Sequence, residues 1–264
     1  VAKEKEEMKS IKIYDATYMP QRQLESDEID GHIGDNQKWW FDSSHPDSFD
    51  LFDLDSLYNA DYFGNDHVSS STINNYVSIV KAVYESIMRK TINYNPQLKS
   101  VLEVGAGGGW FTKEFLDSNI SITAIEGTRC GYEAMLKRGI PKEVIIRHDL
   151  RKDLHLEEKF DIVCCTEVAE HIETPFSSQL VKTIIDHSDL VWFSFEGPGP
   201  GAHYHHSNEQ PEKFWINIFD FYDYGVVRVS SAMSNACENR GTHVFFNRKR
   251  FTNFSEDQTL DLQW

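Results

Sequence analysis

The stretch VLEVGAGGGW, residues 101–110, limits what this chain can fold into more than any other. An apolar run ends at Val104, glycines follow at Gly105, Gly107 and Gly109, and GWFTKEFLDS reads as the start of a helix. Glycine at alternate positions after a strand permits a tight turn and lets a ligand approach the backbone. The helix N-terminus behind it favours negative charge. Packing also demands glycine in places, so a second anchor matters. Glu126 ends the next apolar run, 21 positions after Gly105, where a carboxylate can accept both hydroxyls of a ribose.

The chain around this loop alternates between two periods. SSSTINNYVSIVKAVYESIMRK carries apolar residues at Ile73, Tyr76, Val77, Val80, Val83, Tyr84, Ile87 and Met88, which is helical spacing behind capping hydroxyls. From Ser100 onward, SVLEVG, ISITAIEG, EVIIRHD, FDIVCCTE and DLVWFSFEG read as strands. Between them lie helical stretches such as RCGYEAMLKRG and about Ser178–His187. Repeated βα units with short loops imply a parallel sheet covered by helices on both faces. GVVRVSSAM and GTHVFFNRKRF are expected to pair as an antiparallel hairpin at its edge. The expectation is a Rossmann-like α/β fold with a mostly parallel seven-stranded sheet. Residues 68–250 would form the domain, 1–67 an extension and 251–264 a tail.

Two cofactor classes compete for the loop. A dinucleotide fingerprint needs glycine at its sixth position, which here is Trp110. Glu103 also precedes the turn. That carboxylate repels a pyrophosphate and attracts a sulfonium ligand bearing an amino group, so charge favours S-adenosylmethionine over NAD.

With those residues in view, the resemblance becomes specific. VLEVGAGGGWFTKEFLD resembles the first motif of the class I S-adenosylmethionine-dependent methyltransferases, AIEGT the ribose-binding second and RHDL the adenine-contacting third. FDIVCCTEVAEHI is similar to the fourth and DLVWFSFEGPG to the fifth, in the family's order, over residues 98–247. The resemblance implies that Glu103, Gly105 and Gly107 meet the methionine end of the cofactor, with Gly109 and Trp110 completing the loop. Glu126 with Gly127 would hold the ribose, Asp149 with Leu150 the adenine, and Glu167 would help position the cofactor.

Ligands of open α/β sheets sit beyond the carboxyl ends of the strands. That places EVAEHIE, after the fourth strand, beside GPGPGAHYHHSNEQP, after the fifth. The latter carries His203, His205, His206, Asn208 and Gln210, and HxNxQP resembles a segment of small-molecule and sugar methyltransferases. An alcohol acceptor needs a base such as His, or a metal that acidifies it, so the imidazoles favour O-methylation, with His206 and His171 as candidate catalytic residues. On a helix, Glu167, Glu170 and His171 would share one face. They can hold Mg²⁺ or Mn²⁺, as the ExxEH pattern resembles the metal site of ubiquinone-biosynthesis O-methyltransferases. His171 can instead serve as a metal-free base, or the two carboxylates can merely complement a helix N-terminus.

Charge and composition narrow the partners. A net charge of -16 opposes nucleic-acid binding, which relies on clustered cations, and no flipped-base motif such as NPPY occurs. A small-molecule or sugar/glycan acceptor is the expectation, with a quinone- or phenol-type acceptor as the rival. Aromatic Trp39, Trp40, Tyr62 and Phe63 read either as anchors of an acidic extension or as a lid contacting ligand. Cys130, Cys164, Cys165 and Cys237 have no metal-ligand spacing and fit a reducing compartment. No run approaches the ~18 apolar residues of a membrane span, and VAKEKEEMKS has no signal-peptide pattern. The expected location is therefore cytoplasmic. The missing initiating Met fits one domain of a longer multifunctional chain.

Overall fold

The computed structural model describes residues 54–58, 63, 70–91, 96–199, 205–237, 242–254 and 259–262. Trp39, Trp40, Tyr62 and His203 lie outside them. A four-residue helix α1 (Leu54–Leu57) precedes the long α2 (Ser70–Thr91). The βα alternation follows: β1 (Ser100–Val104), α3 (Trp110–Asp117), β2 (Ser121–Glu126), α4 (Arg129–Lys137), β3 (Ile145–Arg147), β4 (Ile162–Thr166), α5 (Ser177–Ile185) and β5 (Leu190–Ser194). The chain closes with α6 (Glu212–Phe221), β6 (Tyr224–Val229), α7 (Ser231–Ala236), β7 (His243–Asn247) and β8 (Thr259–Leu260).

The strands form one sheet in the order β3-β2-β1-β4-β5-β7-β6-β8. The first five are parallel, and β7 runs antiparallel to both β5 and β6. The sheet thus has eight strands among the described residues, not the expected seven. The extra one comes from the tail: residues 259–260 pair with Arg228 and Val229 of β6, and the Ser230 N–H donates to the Leu260 carbonyl. Two backbone bridges with no sustained alternation leave little trace in a sequence.

Side-chain alternation splits the core. Val101, Ile162, Cys164, Leu190 and Trp192 pack under α2, α3 and α7, whose contributions include Tyr76, Val80, Phe115 and Met233. Leu102, Val104, Val163, Cys165, Val191 and Phe193 face α5 and α6 through Leu180, Ile184, Trp215 and Phe219. Strands buried on both faces read as continuous apolar runs, which is why they were visible in the sequence. The stripe predicted on α2 is the one it buries, from Tyr76 to Ile87. Among the described residues no helix is long and apolar enough to cross a membrane.

From β1 the chain moves outward to β2 and β3, then crosses back to β4 on the other side. The crevice between the carboxyl ends of β1 and β4 is therefore the switch point where such sheets bind ligands.

Candidate active site

The glycine loop leaves β1 at this switch point. Gly105, Gly107 and Gly109 all have left-handed backbones, with φ of 77°, 55° and 76°. At Gly105 space forbids a side chain as well, because a Cβ would sit 2.4 Å from Val168 Cγ2. The loop is fastened to β2, since the Gly105 and Ala106 N–H groups donate to the Ile125 carbonyl at 3.0 and 2.9 Å. Gly109 packs away from the crevice, against Ile140 and Met135. Trp110 likewise braces the outside of the loop. Its ring covers Gly108, and the Arg138 guanidinium lies 4.3 Å above it while donating to the Gly108 carbonyl.

A cavity of about 620 Å³, counting its open mouth, fills the crevice. Gly105, Gly107, Glu126, Gly127, Asp149, Leu150, Glu167 and His171 all line it; eight of the expected site residues thus surround one space. Glu126 is already engaged. Its Oε2 accepts from the Gly107 N–H at 2.7 Å, and its Oε1 accepts from the Thr128 N–H and hydroxyl at 2.7 and 2.6 Å. A carboxylate has about four acceptor sites, so only Oε2 has capacity to spare. The expected hold on two hydroxyls reduces here to one. Glu103 lies below the loop, buried, and accepts from the Thr112 hydroxyl at 2.5 Å. Burial pushes its carboxyl up to about 7, against the Thr112 hydrogen bond and with help from the nearby Glu126 charge.

The segment after β4 is not the α-helix that the ExxEH spacing would need. Glu167 adopts φ 53°, with its N–H held by the Ser194 carbonyl and hydroxyl at the end of β5, both at 3.2 Å. Ala169–His171 then makes a single 3₁₀ turn. This geometry gathers a different trio. Donor atoms of Glu170, His171 and His206 lie within 4.8 Å of one another, whereas Glu167 stands apart from that set on the cavity wall.

Electrostatics mark the trio. Burial and the Glu167 carboxylate push Glu170 well above the usual range, and its Oε2 has no hydrogen-bond partner among the described residues. Desolvation, reinforced by His206 and His205, pulls His171 down to about 3, so it stays neutral at physiological pH. A neutral imidazole beside a buried carboxylate oxygen fits a divalent cation, and so weak a base fits proton abstraction poorly. His206 differs, because its Nδ1 lies 3.0 Å from Glu209 Oε1, which orients the ring edge-on to His171 at 4.7 Å.

Buried Asn208 fastens the two loops together. Its Nδ2 donates to the Ala169 carbonyl and Ser177 hydroxyl, and its Oδ1 accepts from Thr174. The Ser207 and Asn208 N–H groups both donate to the Glu170 carbonyl at 2.9 Å, and Gln210 reaches Thr174. HxNxQP is therefore a clamp that sets His206 against His171. Leu54, Tyr58 and Phe63 also line the cavity. The Tyr58 hydroxyl is 3.0 Å from His171 Nδ1, and Asp55 accepts from the Arg129 N–H. Tyr58 and Glu209 escaped the sequence reading; the His-x-x-Glu spacing of 206 and 209 was a usable signal, whereas nothing local announced Tyr58.

The chain is 32% identical to a ubiquinone biosynthesis O-methyltransferase of Haemophilus ducreyi over 105 residues, 36% of this chain and 44% of that one. It is 28% identical to the mitochondrial ubiquinone biosynthesis O-methyltransferase of Schizosaccharomyces pombe over 35% of this chain and 36% of that one. The chain thus spans less than half the length of these curated relatives. In fold it is similar to DesVI of Streptomyces venezuelae, with a TM-score of 0.54 and 15% identity over 74% of this chain and 99% of that one. The sugar N-methyltransferase KedS8 from Streptoalloteichus gives 0.55 and 12% over 76% and 97%. A family model described as a methyltransferase domain matches residues 76–250, and the chain belongs to the class I S-adenosylmethionine-dependent methyltransferases.

Proposed function

We propose that this chain transfers a methyl group from S-adenosylmethionine to a hydroxyl of a sugar, glycan or other small molecule. The observation that carries this reading is the His206–Glu209 pair, whose ring stands edge-on to His171, a residue that lines the cavity. The cofactor supplies a methyl group activated by its sulfonium. Gly105, Gly107 and Glu103 would hold its methionine end, Glu126 and Gly127 its ribose, and Asp149 and Leu150 its base. Glu167 would complete the wall, and Leu54, Tyr58 and Phe63 of the extension would cover it. Gly109 and Trp110 act from behind, as braces of the loop. The protein must then align donor and acceptor and remove the hydroxyl proton, for which His206, oriented by Glu209, is the base. Polar side chains of His171, His206, Glu209 and Tyr58 suit a hydroxylated acceptor. The buried thiols Cys164, Cys165 and Cys237 fit a reducing, cytoplasmic setting.

The curated relatives favour a second reading, a quinone- or phenol-type acceptor. There Glu170, His171 and His206 would hold Mg²⁺ or Mn²⁺, with Glu167 outside the set, and the ion would lower the pKa of the hydroxyl.

Calorimetry with S-adenosylhomocysteine tests the cofactor; no binding at millimolar concentration would sink both readings. Affinity should tighten as pH rises through about 7, by at most ~10-fold per unit. The reason is that Glu103 must ionise to meet the ligand's ammonium, so below its folded value a proton must leave on binding. Glu103→Gln should weaken binding and flatten that profile. Sugar and phenol acceptors are then screened with each metal and with EDTA. Activity lost in EDTA and restored by one ion supports the metal reading, and unchanged activity removes it.

A further inference from the structure

Arg151 is a charged side chain that the proposed reaction does not use, yet only 6% of the residue is exposed. It follows β3 and grips Asp149 bidentately. Its backbone N–H and Nε donate to Asp149 Oδ1 at 3.0 and 2.9 Å, and Nη2 donates to Oδ2 at 3.0 Å. Its remaining Nη1 donates to Glu173 Oε1 at 3.2 Å. Glu173 is buried too and stands two residues after His171, next to Ile172, which lines the same cavity as Asp149. One guanidinium thus spans from the wall built after β3 to the wall built after β4.

The acceptor count at Asp149 gives this strut a purpose. Two donors fill Oδ1 and one occupies Oδ2, so of about four acceptor sites one is left, on a carboxylate that lines the cavity. Burial alone would raise Asp149, but the hydrogen bonds and charge of Arg151 outweigh it and hold the carboxyl below its usual value. The group facing the cavity is therefore an ionised acceptor with a fixed direction. It matches a single N–H donor and repels an oxygen.

We propose that Arg151, braced on Glu173, is the positioning residue that aims Asp149 at the exocyclic amino group of the cofactor's base and so makes the site select adenine over a 6-oxopurine. This rests on the reading that S-adenosylmethionine occupies the cavity. Binding discrimination built on a buried hydrogen-bonding group is large, because the wrong ligand leaves that group unsatisfied. It also requires the group to be held in place. Lysine cannot reproduce the two-point grip.

Calorimetry on the full chain with S-adenosylhomocysteine and with S-inosylhomocysteine, which carries oxygen in place of the amino group, tests this. The wild type should prefer the adenine ligand by ~10-fold or more. Arg151→Gln and Arg151→Lys should bring the ratio towards one. Glu173→Gln, which leaves the Asp149 grip intact, should lower it part of the way and keeps the test alive if the Arg151 variants fail to fold. A merely structural role would weaken both ligands equally. A wild type that binds both ligands alike, or variants that keep its ratio, would overturn the inference while leaving the cofactor assignment standing. A wild type that binds neither overturns that assignment and this inference with it.

Discussion

Gly105→Ala is expected to lower thermal stability by about 5–15 °C and to remove measurable binding of S-adenosylhomocysteine. Two costs add at this position. A side chain on a left-handed backbone costs ~1–2 kcal/mol, and forcing a methyl group into a packed site costs a further ~1–3 kcal/mol. For a domain of this size, each kcal/mol moves the melting temperature by about 2–4 °C. The clash is specific, since the new Cβ would meet Val168 Cγ2 at 2.4 Å, and Val168 itself lines the cavity. Relief by movement of Val168 would disturb the wall that the loop forms with the segment after β4. Gly139 separates the two costs. It has φ 82° but nothing within 4 Å of a Cβ, so Gly139→Ala should show the backbone cost alone and keep full affinity for the ligand. Adding Val168→Ala to Gly105→Ala should recover part of the stability. Differential scanning calorimetry and ligand titration on the wild type and these three variants read both terms. A Gly105→Ala protein no less stable than Gly139→Ala, with normal affinity, would show that Val168 yields freely.

How much of this was legible in the sequence follows from the range of the interactions. The glycine loop, Glu126 and Asp149 follow strand ends at fixed offsets, so local pattern placed them, and Gly105, Gly107, Glu126 and Asp149 reach the cavity. The central strands β1, β4 and β5 were equally visible because burial on both faces makes them largely apolar. What the spacing of EVAEHIE implied was a helix face. Instead the Ser194 backbone and side chain, 27 residues away, fix Glu167 in a left-handed conformation, and the chain turns too early for Glu167 to join Glu170 and His171. The third member, His206, arrives from another loop through the Asn208 clamp. Contacts of that kind carry no sequence period. Glu126 shows the same limit, because its residue type was right but three of its roughly four acceptor sites are already taken within the protein.

His206→Ala should cut turnover by ~10²-fold or more while leaving the affinity for S-adenosylhomocysteine unchanged, because His206 lies beyond His171 and does not line the cavity. The base assignment makes a finer demand. Proton removal matters less as the acceptor hydroxyl grows more acidic, so the defect should shrink from a sugar hydroxyl to an activated phenol. Glu209→Gln removes the charge that orients the ring across 3.0 Å and should give a smaller loss with the same dependence on the acceptor. A metal-ligand role for His206 predicts otherwise. Raising Mg²⁺ or Mn²⁺ would then restore His206→Ala towards the wild-type rate, since the variant would be short of bound ion and not of a base. His171→Ala serves as the comparison. Held neutral at about 3, His171 is a poor proton acceptor, so its loss should act through metal affinity or through the Tyr58 contact and should be indifferent to acceptor acidity. Steady-state rates across an acceptor series, each with and without added metal, separate these outcomes. A His206→Ala rate close to wild type at every acceptor would move the proton transfer away from this loop.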